Sequence, residues 1–255
     1  MSETTVQSVD RALTLLEVLS DHEEGLGITE ISTKIELHKS TVHRLLGTLI
    51  NKGYVKKVGS GNKYKLTMKL FELGRKTIEK VDVIKVSRPY LEELRDSIKE
   101  VVHLVVQDGA DIVYVDKVES ENTIRMHSSI GKRSPMYCTS VGKALMAHME
   151  DDEIENIWSE SNIVAYTEHT IISFEDMKAE IEKIRNQGYS VDEQENEIGV
   201  RCVGAAILDY TGSPVAAISV SGPTNRVTKE KVEEIAKIAI GISEKISYEL
   251  GYKKI

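Results

Sequence analysis

Over the first fifty residues, apolar side chains recur at helical spacing. Val9, Ala12, Leu13, Leu16 and Leu19 predict a helix over 9–20, with Ser8 placed to cap its free backbone N–H groups. The stretch 21–27 breaks that pattern. A short second helix follows, capped by Thr29 and carrying Ile31 and Ile35, and only Glu36, Leu37 and His38 separate it from a third. There Val42, Leu45, Leu46 and Leu49 take positions i, i+3, i+4 and i+7. This turns them toward the core and leaves Lys39, Ser40, Thr41, His43, Arg44 and Thr48 on the other sides. Asn51-Lys52-Gly53 stops the helix, and the runs 54–58 and 63–66 flank a Gly59-Ser60-Gly61-Asn62 turn, predicting a two-stranded wing. Three helices and a hairpin are the parts of a winged helix-turn-helix.

Residues 67–81 carry Leu70, Phe71, Leu73, Ile78 and Val81 on a helical repeat and predict a linker helix. Its apolar surface exceeds what a solvated spacer needs. It packs either on a second chain or on its own domain, and the pattern does not choose between them. From residue 82 helical and strand patterns mix, with helices predicted over 83–100, 140–148, 151–159, 173–187 and 229–250. Strands are predicted over 101–107, 112–118, 122–128, 203–208 and 215–221. The turn Asp209-Tyr210-Thr211-Gly212-Ser213-Pro214 joins the last two strands as an antiparallel hairpin. The expected architecture is α+β: a DNA-binding domain over 1–66, a linker helix over 67–81, and a domain over 82–255 with a curved antiparallel sheet and helices against it.

Composition narrows the class. The 255 residues contain no long apolar run and begin with a polar stretch, which argues against a signal peptide or a membrane span and for a cytoplasmic protein. The only two cysteines, Cys138 and Cys202, lie far apart and form no Cys-x-x-Cys pair, as expected in a reducing compartment without structural zinc. The net charge of −8 looks wrong for a nucleic-acid binder until it is divided along the chain. Residues 34–81 hold twelve Lys or Arg against three Asp or Glu, whereas 1–33 hold one against seven and 82–255 hold twenty against thirty-one.

A charge run is more often a solvated face than a binding site, so the fold around it decides its meaning. Here the positive block coincides with the third helix and the wing. Arg44 is suited to a guanine edge, Ser40 and Thr41 to bases or phosphates near the helix start with His43 beside them, and Lys39, Lys56, Lys57 and Lys63 to phosphates. The alternative, a trihelical unit that only docks protein, is disfavoured by nine cations between Lys34 and Lys69 against the single Glu36.

Several motifs then resemble one known family, the IclR-type regulators. They are Gln7-Ser8-Val9-Asp10-Arg11-Ala12, Lys39-Ser40-Thr41-Val42-His43-Arg44-Leu45-Leu46, Ile130-Gly131, Cys138-Thr139-Ser140-Val141-Gly142-Lys143-Ala144-Leu145, Glu197-Ile198-Gly199-Val200-Arg201-Cys202-Val203 and Ala217-Ile218-Ser219-Val220-Ser221-Gly222-Pro223. The resemblance spans essentially the whole chain. It implies a GAF-like effector domain, homodimers that often pair into tetramers, operator DNA as partner, and a small carboxylate effector such as a keto, sugar or aromatic acid. By motif it assigns the effector pocket to Ser140, Val141, Asp192, Val200, Cys202, Ser219 and Ser221. Glu119-Ser120, Ile124-Arg125-Met126 and Ser128-Ser129-Ile130-Gly131-Lys132-Arg133 further resemble regulators of sugar-acid catabolism that answer to 2-keto-3-deoxygluconate. Arg125 or His127 suits an effector carboxylate, and a strand arginine paired with a surface carboxylate is an equally ordinary reading.

Two other classes fit less well. A thiol enzyme would pair Cys138 or Cys202 with His103, His127 or His148, yet no nucleophile elbow or ordered triad is present, and Gly142-Lys143 lacks the upstream glycine of a phosphate loop. A metal-responsive regulator would draw on Cys138, Cys202, His127 and Asp192, whose spacing is uninformative. No catalytic residue, metal or cofactor is expected.

Overall fold

The structure, a computed structural model, describes residues 6–59, 62–70, 72–73, 82–120 and 129–253. The chain divides into two compact units, Met1–Lys80 and Val81–Ile255.

The first unit contains α1 (Gln7–Ser20), β1 (Leu26–Gly27), α2 (Ile28–Lys34), α3 (Lys39–Asn51), β2 (Val55–Val58) and β3 (Lys63–Leu66). Its core joins Leu15 and Leu19 of α1, Ile31 of α2, Val42, Leu46 and Leu49 of α3, and Val55 and Tyr64 of the wing. The buried edge of α1 lies to one side of the expected stripe, since Val9 and Leu13 are each 54% exposed. Five apolar residues cover more than one helix face, and contact with β3 and α2 selects the Leu15–Leu19 edge.

Both expected caps are corrected. Val6 precedes α1 without a side-chain cap, so Ser8 lies inside the first turn. Gly27 precedes α2, and its N–H donates to Glu30 Oε2 at 2.7 Å, taking the place assigned to Thr29. β1 is an addition: Leu26 pairs with Tyr64 and Gly27 with Lys63, making β3 the central strand of a three-stranded sheet. Two residues carry too little periodicity to be read as a strand. Of the linker, Lys69, Leu70, Glu72 and Leu73 are helical, while Phe71, Ile78 and Val81 lie outside the described residues.

The second unit contains α4 (Val83–Ile98), β4 (Val101–Asp108), β5 (Asp111–Val118), β6 (Arg133–Pro135), α5 (Ser140–Met146), α6 (Asp151–Glu160) and α7 (Phe174–Gln187). It continues through β7 (Ser190–Glu193), β8 (Val200–Leu208), β9 (Pro214–Pro223), a 3₁₀ turn (Lys229–Lys231) and α8 (Val232–Glu249). Six strands form one curved antiparallel sheet in the order β6-β5-β4-β9-β8-β7. The 122–128 strand expected from the sequence lies outside the described residues.

Both faces of the sheet are covered. On one, α4 and α8 pack over Val102, Leu104, Val203, Ala205, Ile218 and Val220. On the other, α5, α6 and α7 pack with Val105, Ile112 and Ala217. The period-2 alternation of strands therefore sends His103, Cys202, Ser219 and Ser221 to the α5 side. Glycine permits the approach of α5 to the sheet: a Cβ on Gly204 would lie 2.8 Å from the Ser140 carbonyl carbon, and one on Gly142 2.3 Å from Met136 O.

Candidate functional site

In the first unit, Lys39, Ser40, His43 and Arg44 are exposed along α3 and Thr41 is half-buried beside them; Lys56, Lys57 and Lys63 are exposed on the wing. Among the described residues the ion pairs of this unit are Lys65–Glu24 at 3.9 Å and Lys69–Glu72 at 3.0 Å. None of the five cations selected above takes part in one among the described residues. Five of the unit's ten acids sit in α1 and the turn after it, and none lies within α3 or the wing strands. Among the described residues these charges have no ion-pair partner, as a surface that meets a polyanion requires.

In the second unit, a cavity of about 50 Å³ opens between the N-terminal end of α5 and the sheet. Ser140, Val141, Asp192, Val200, Cys202, Ser219 and Ser221 all line it. They come from four stretches of chain and meet because register puts them there. Asp192 on β7 faces Cys202 on β8, Cys202 faces Ser221 on β9, and Ser219 faces His103 on β4. Arg125 and His127 lie outside the described residues.

His103, Tyr114, Lys132, Ser134, Thr139, Asn196 and Glu197 complete the lining. Ser219 Oγ and Ser221 Oγ lie 3.3 Å apart and 3.4 Å and 3.3 Å from His103 Nδ1. The His103 ring stands edge-on to Tyr114 with centroids 5.1 Å apart. Burial, with a smaller push from Lys117, holds its pKa down to about 3, so the imidazole is neutral at physiological pH. From the sequence His103 suits an enzymatic base, and the structure places it in the cavity wall instead. Its signal was legible as a polar residue between Val102 and Leu104, in a strand covered on both faces.

Asp192 is buried at the cavity wall, and its Oδ1 accepts from the backbone N–H of Glu195 at 2.7 Å and of Asn196 at 3.4 Å. Burial, reinforced by the nearby Glu195 charge and opposed by Lys143, pushes its carboxyl up to about 7. Behind it Lys143 is fully buried, donating to Glu195 Oε1, to Val191 O at 2.6 Å and to Glu180 Oε1 at 3.4 Å. Lys143 thus holds the turn that carries Asp192, a structural role far from phosphate binding. Thr167 and Thr170 hold the same turn from outside, donating to Gln194 O at 2.7 Å and Glu195 O at 2.6 Å.

Burial pushes both thiols well above the usual range, leaving Cys138 and Cys202 neutral. A neutral buried thiol is a poor nucleophile and a poor metal ligand. Among the described residues, no group of three or more His, Cys, Asp and Glu side chains is placed to hold a metal ion. Nor is any helix among them long and apolar enough to cross a membrane.

Known proteins match both units. The IclR helix-turn-helix domain matches residues 8–59, and the bacterial transcriptional regulator IclR C-terminal domain matches residues 75–248. The chain is 38% identical over 248 residues to the HTH-type transcriptional regulator KdgR of Escherichia coli (strain K12), covering 97% of this chain and 94% of that protein. It is 31% identical to the transcriptional repressor IclR of the same organism, over 96% of this chain and 90% of that protein. Among solved structures, Thermotoga maritima IclR superposes with a TM-score of 0.65 at 32% identity, covering 97% of this chain and 100% of that one. The C-terminal domain of E. coli KdgR does so with a TM-score of 0.62 at 34% identity, over 68% of this chain and 100% of that one. Agobacterium tumefaciens repressor BlcR, with a TM-score of 0.80 at 24% identity over 98% and 99% of the two chains, shares the fold. These matches are to regulators and not to enzymes, and they cover both units: the chain belongs to the IclR family of bacterial DNA-binding transcriptional regulators.

Proposed function

We propose that this regulator reads its operator through Lys39, Ser40, Thr41, His43 and Arg44 of α3 and Lys56, Lys57 and Lys63 of the wing, under control of a small carboxylate effector. The effector is a sugar acid or keto acid of carbon catabolism, bound against Ser140, Val141, Asp192, Val200, Cys202, Ser219 and Ser221, with Arg125 contributing a cation. The observation that carries this reading is convergence: seven residues from four separate stretches of sequence, six of them within the family motifs, line one cavity, and two of them present adjacent hydroxyls. Hydroxyls and buried polar groups suit a ligand of many hydroxyl and carboxylate oxygens. The protein works in the cytoplasm as a homodimer, or as a dimer of dimers, so that two recognition helices address half-sites about one DNA turn apart.

The ligand favours whichever arrangement of the cavity walls fits it best. A ligand shifts a conformational equilibrium only by its differential affinity for the two states, and here the shift changes the spacing of the DNA-binding units.

The test is fluorescence anisotropy of labelled DNA from upstream of the chain's own gene, titrated with protein at fixed salt, with and without 2-keto-3-deoxygluconate. A saturable complex whose affinity moves with the compound supports both halves of the reading. Tight binding without a shift removes that effector, and no preference over random DNA across several genomic fragments removes the operator reading.

A further inference from the structure

α3 carries a glycine where its own fold does not ask for one. Ser40, Arg44, Gly47 and Asn51 follow one another at three- and four-residue spacing, so Gly47 lies on the outward line of the helix. Glycine weakens a helix interior because it has the most backbone freedom to lose. A Cβ at Gly47 would meet nothing within 4 Å, unlike Gly25, where it would fall 2.6 Å from Tyr64 O. Nothing inside the unit therefore excludes alanine at position 47, the better helix former.

The space above Gly47 is a groove of about 640 Å³ between α1 and α3. Gln7, Ser8 and Arg11 form the α1 wall, and Thr41, Arg44 and Thr48 stand on the other. Among the described residues no carboxylate lines it. Neither Arg11 nor Arg44 takes part in an ion pair among the described residues, whereas Arg88, Arg95, Arg133, Arg185, Arg201 and Arg226 of the second unit each bind a carboxylate. The groove is thus open and mostly polar, carries two arginines, and has Leu45, Asn51 and the bare Cα of Gly47 in its lining as well.

We infer that Gly47 is a site of close approach by DNA, with one sugar–phosphate strand lying in the α1–α3 groove against the bare Cα. Arg11 meets a phosphate of that strand from the α1 wall, Ser8 offers its hydroxyl to it, and Arg44 reaches past it to a base edge. The inference rests on the DNA-reading function proposed above and adds α1 to the contacting surface. A methyl group on the floor lifts the strand and loosens every contact around it, while strengthening the free helix.

The experiment uses the full chain with Gly47→Ala, Gly47→Leu and Arg11→Gln. The DNA is a duplex enriched from a random library by the wild-type protein, with an unselected duplex as control. Gly47→Ala is expected to raise the unfolding temperature of the DNA-binding unit by about 4 °C. It should also weaken the selected duplex about tenfold, with Gly47→Leu weaker still. Arg11→Gln should weaken both duplexes alike and reduce the salt slope by about one. A stabilised Gly47→Ala that binds the selected duplex like wild type overturns the inference and leaves the DNA reading standing. A destabilised Gly47→Ala overturns it by showing that the glycine serves the fold. A change of oligomeric state without DNA does so by assigning the groove to a second copy. If the wild type enriches no duplex, the DNA reading fails and the inference with it.

Discussion

The described arginines of the second unit and the cations selected on α3 and the wing of the first stand in opposite situations. In the second, every described arginine is paired: Arg88 with Glu92 and Asp116, Arg201 with Glu193, Arg226 with Glu100. Lysine follows the same rule at Lys143, which is fully buried against Glu195 and Glu180. In the first, Lys39, Arg44, Lys56, Lys57 and Lys63 make no such pair among the described residues and stand in solvent. Paired charges hold a fold together and have little left to offer a ligand. Unpaired charges of one sign, gathered on a helix and a hairpin, attract a polyanion and release its counterions. The second unit's candidate ligand site is built mainly from hydroxyls and buried polar side chains, the chemistry of a small oxygen-rich molecule.

That contrast can be broken at graded cost. The largest effect is expected from Lys143→Met, which strands Glu195 as a buried carboxylate without its counter-charge. It should remove about 3–5 kcal/mol from the second unit, read by urea denaturation. Arg44→Ala should cost ~1–3 kcal/mol of operator affinity and relax specificity, with little change on random DNA. Equal losses on both DNAs would contradict its assignment to a base edge.

Ser221→Ala removes one hydroxyl of the facing pair and is expected to weaken the effector by about 1 kcal/mol by calorimetry, leaving DNA affinity without effector unchanged. Lys57→Ala should weaken selected and random DNA alike, lowering the salt slope by about one in anisotropy titrations.

The smallest effect is a pH dependence. Asp192, pushed up to about 7, loses its proton as the pH rises through that value and then repels an anion. Anionic effector affinity should therefore fall between about pH 6 and pH 8, by less than about tenfold per pH unit for one coupled proton. Asp192→Asn should flatten the profile. His103 stays neutral across this window and should not contribute.

The DNA-binding unit was legible almost element by element. Its buried positions on α3 follow the apolar repeat, and its charge lies within one block of sequence. The phase of α1 was not legible, because Val9 and Leu13 are as apolar as the residues that are buried. Neither were the two caps, where the last backbone turn before each helix decides which residue stands at its start. In the second unit the helices and hairpins followed from local pattern, but β7 and β6, at four and three residues, were too short to show one. The proposed effector residues rest on motif resemblance, and without it each serine reads as an ordinary strand or cap residue.

The sequence by itself determined what is local: helix and strand periods, turn chemistry, the division of charge, and the motifs that mark the family. Only the tertiary structure decided what shares a space. Sheet register set Asp192 beside Cys202, Cys202 beside Ser221 and Ser219 beside His103, across separations of up to 116 residues. Burial then chose charge states: it left His103 neutral, raised Asp192, and tied Lys143 to Glu195. Periodicity is carried by neighbours along the chain. Register, desolvation and the absence of a counter-ion belong to neighbours in space, which one sequence does not name.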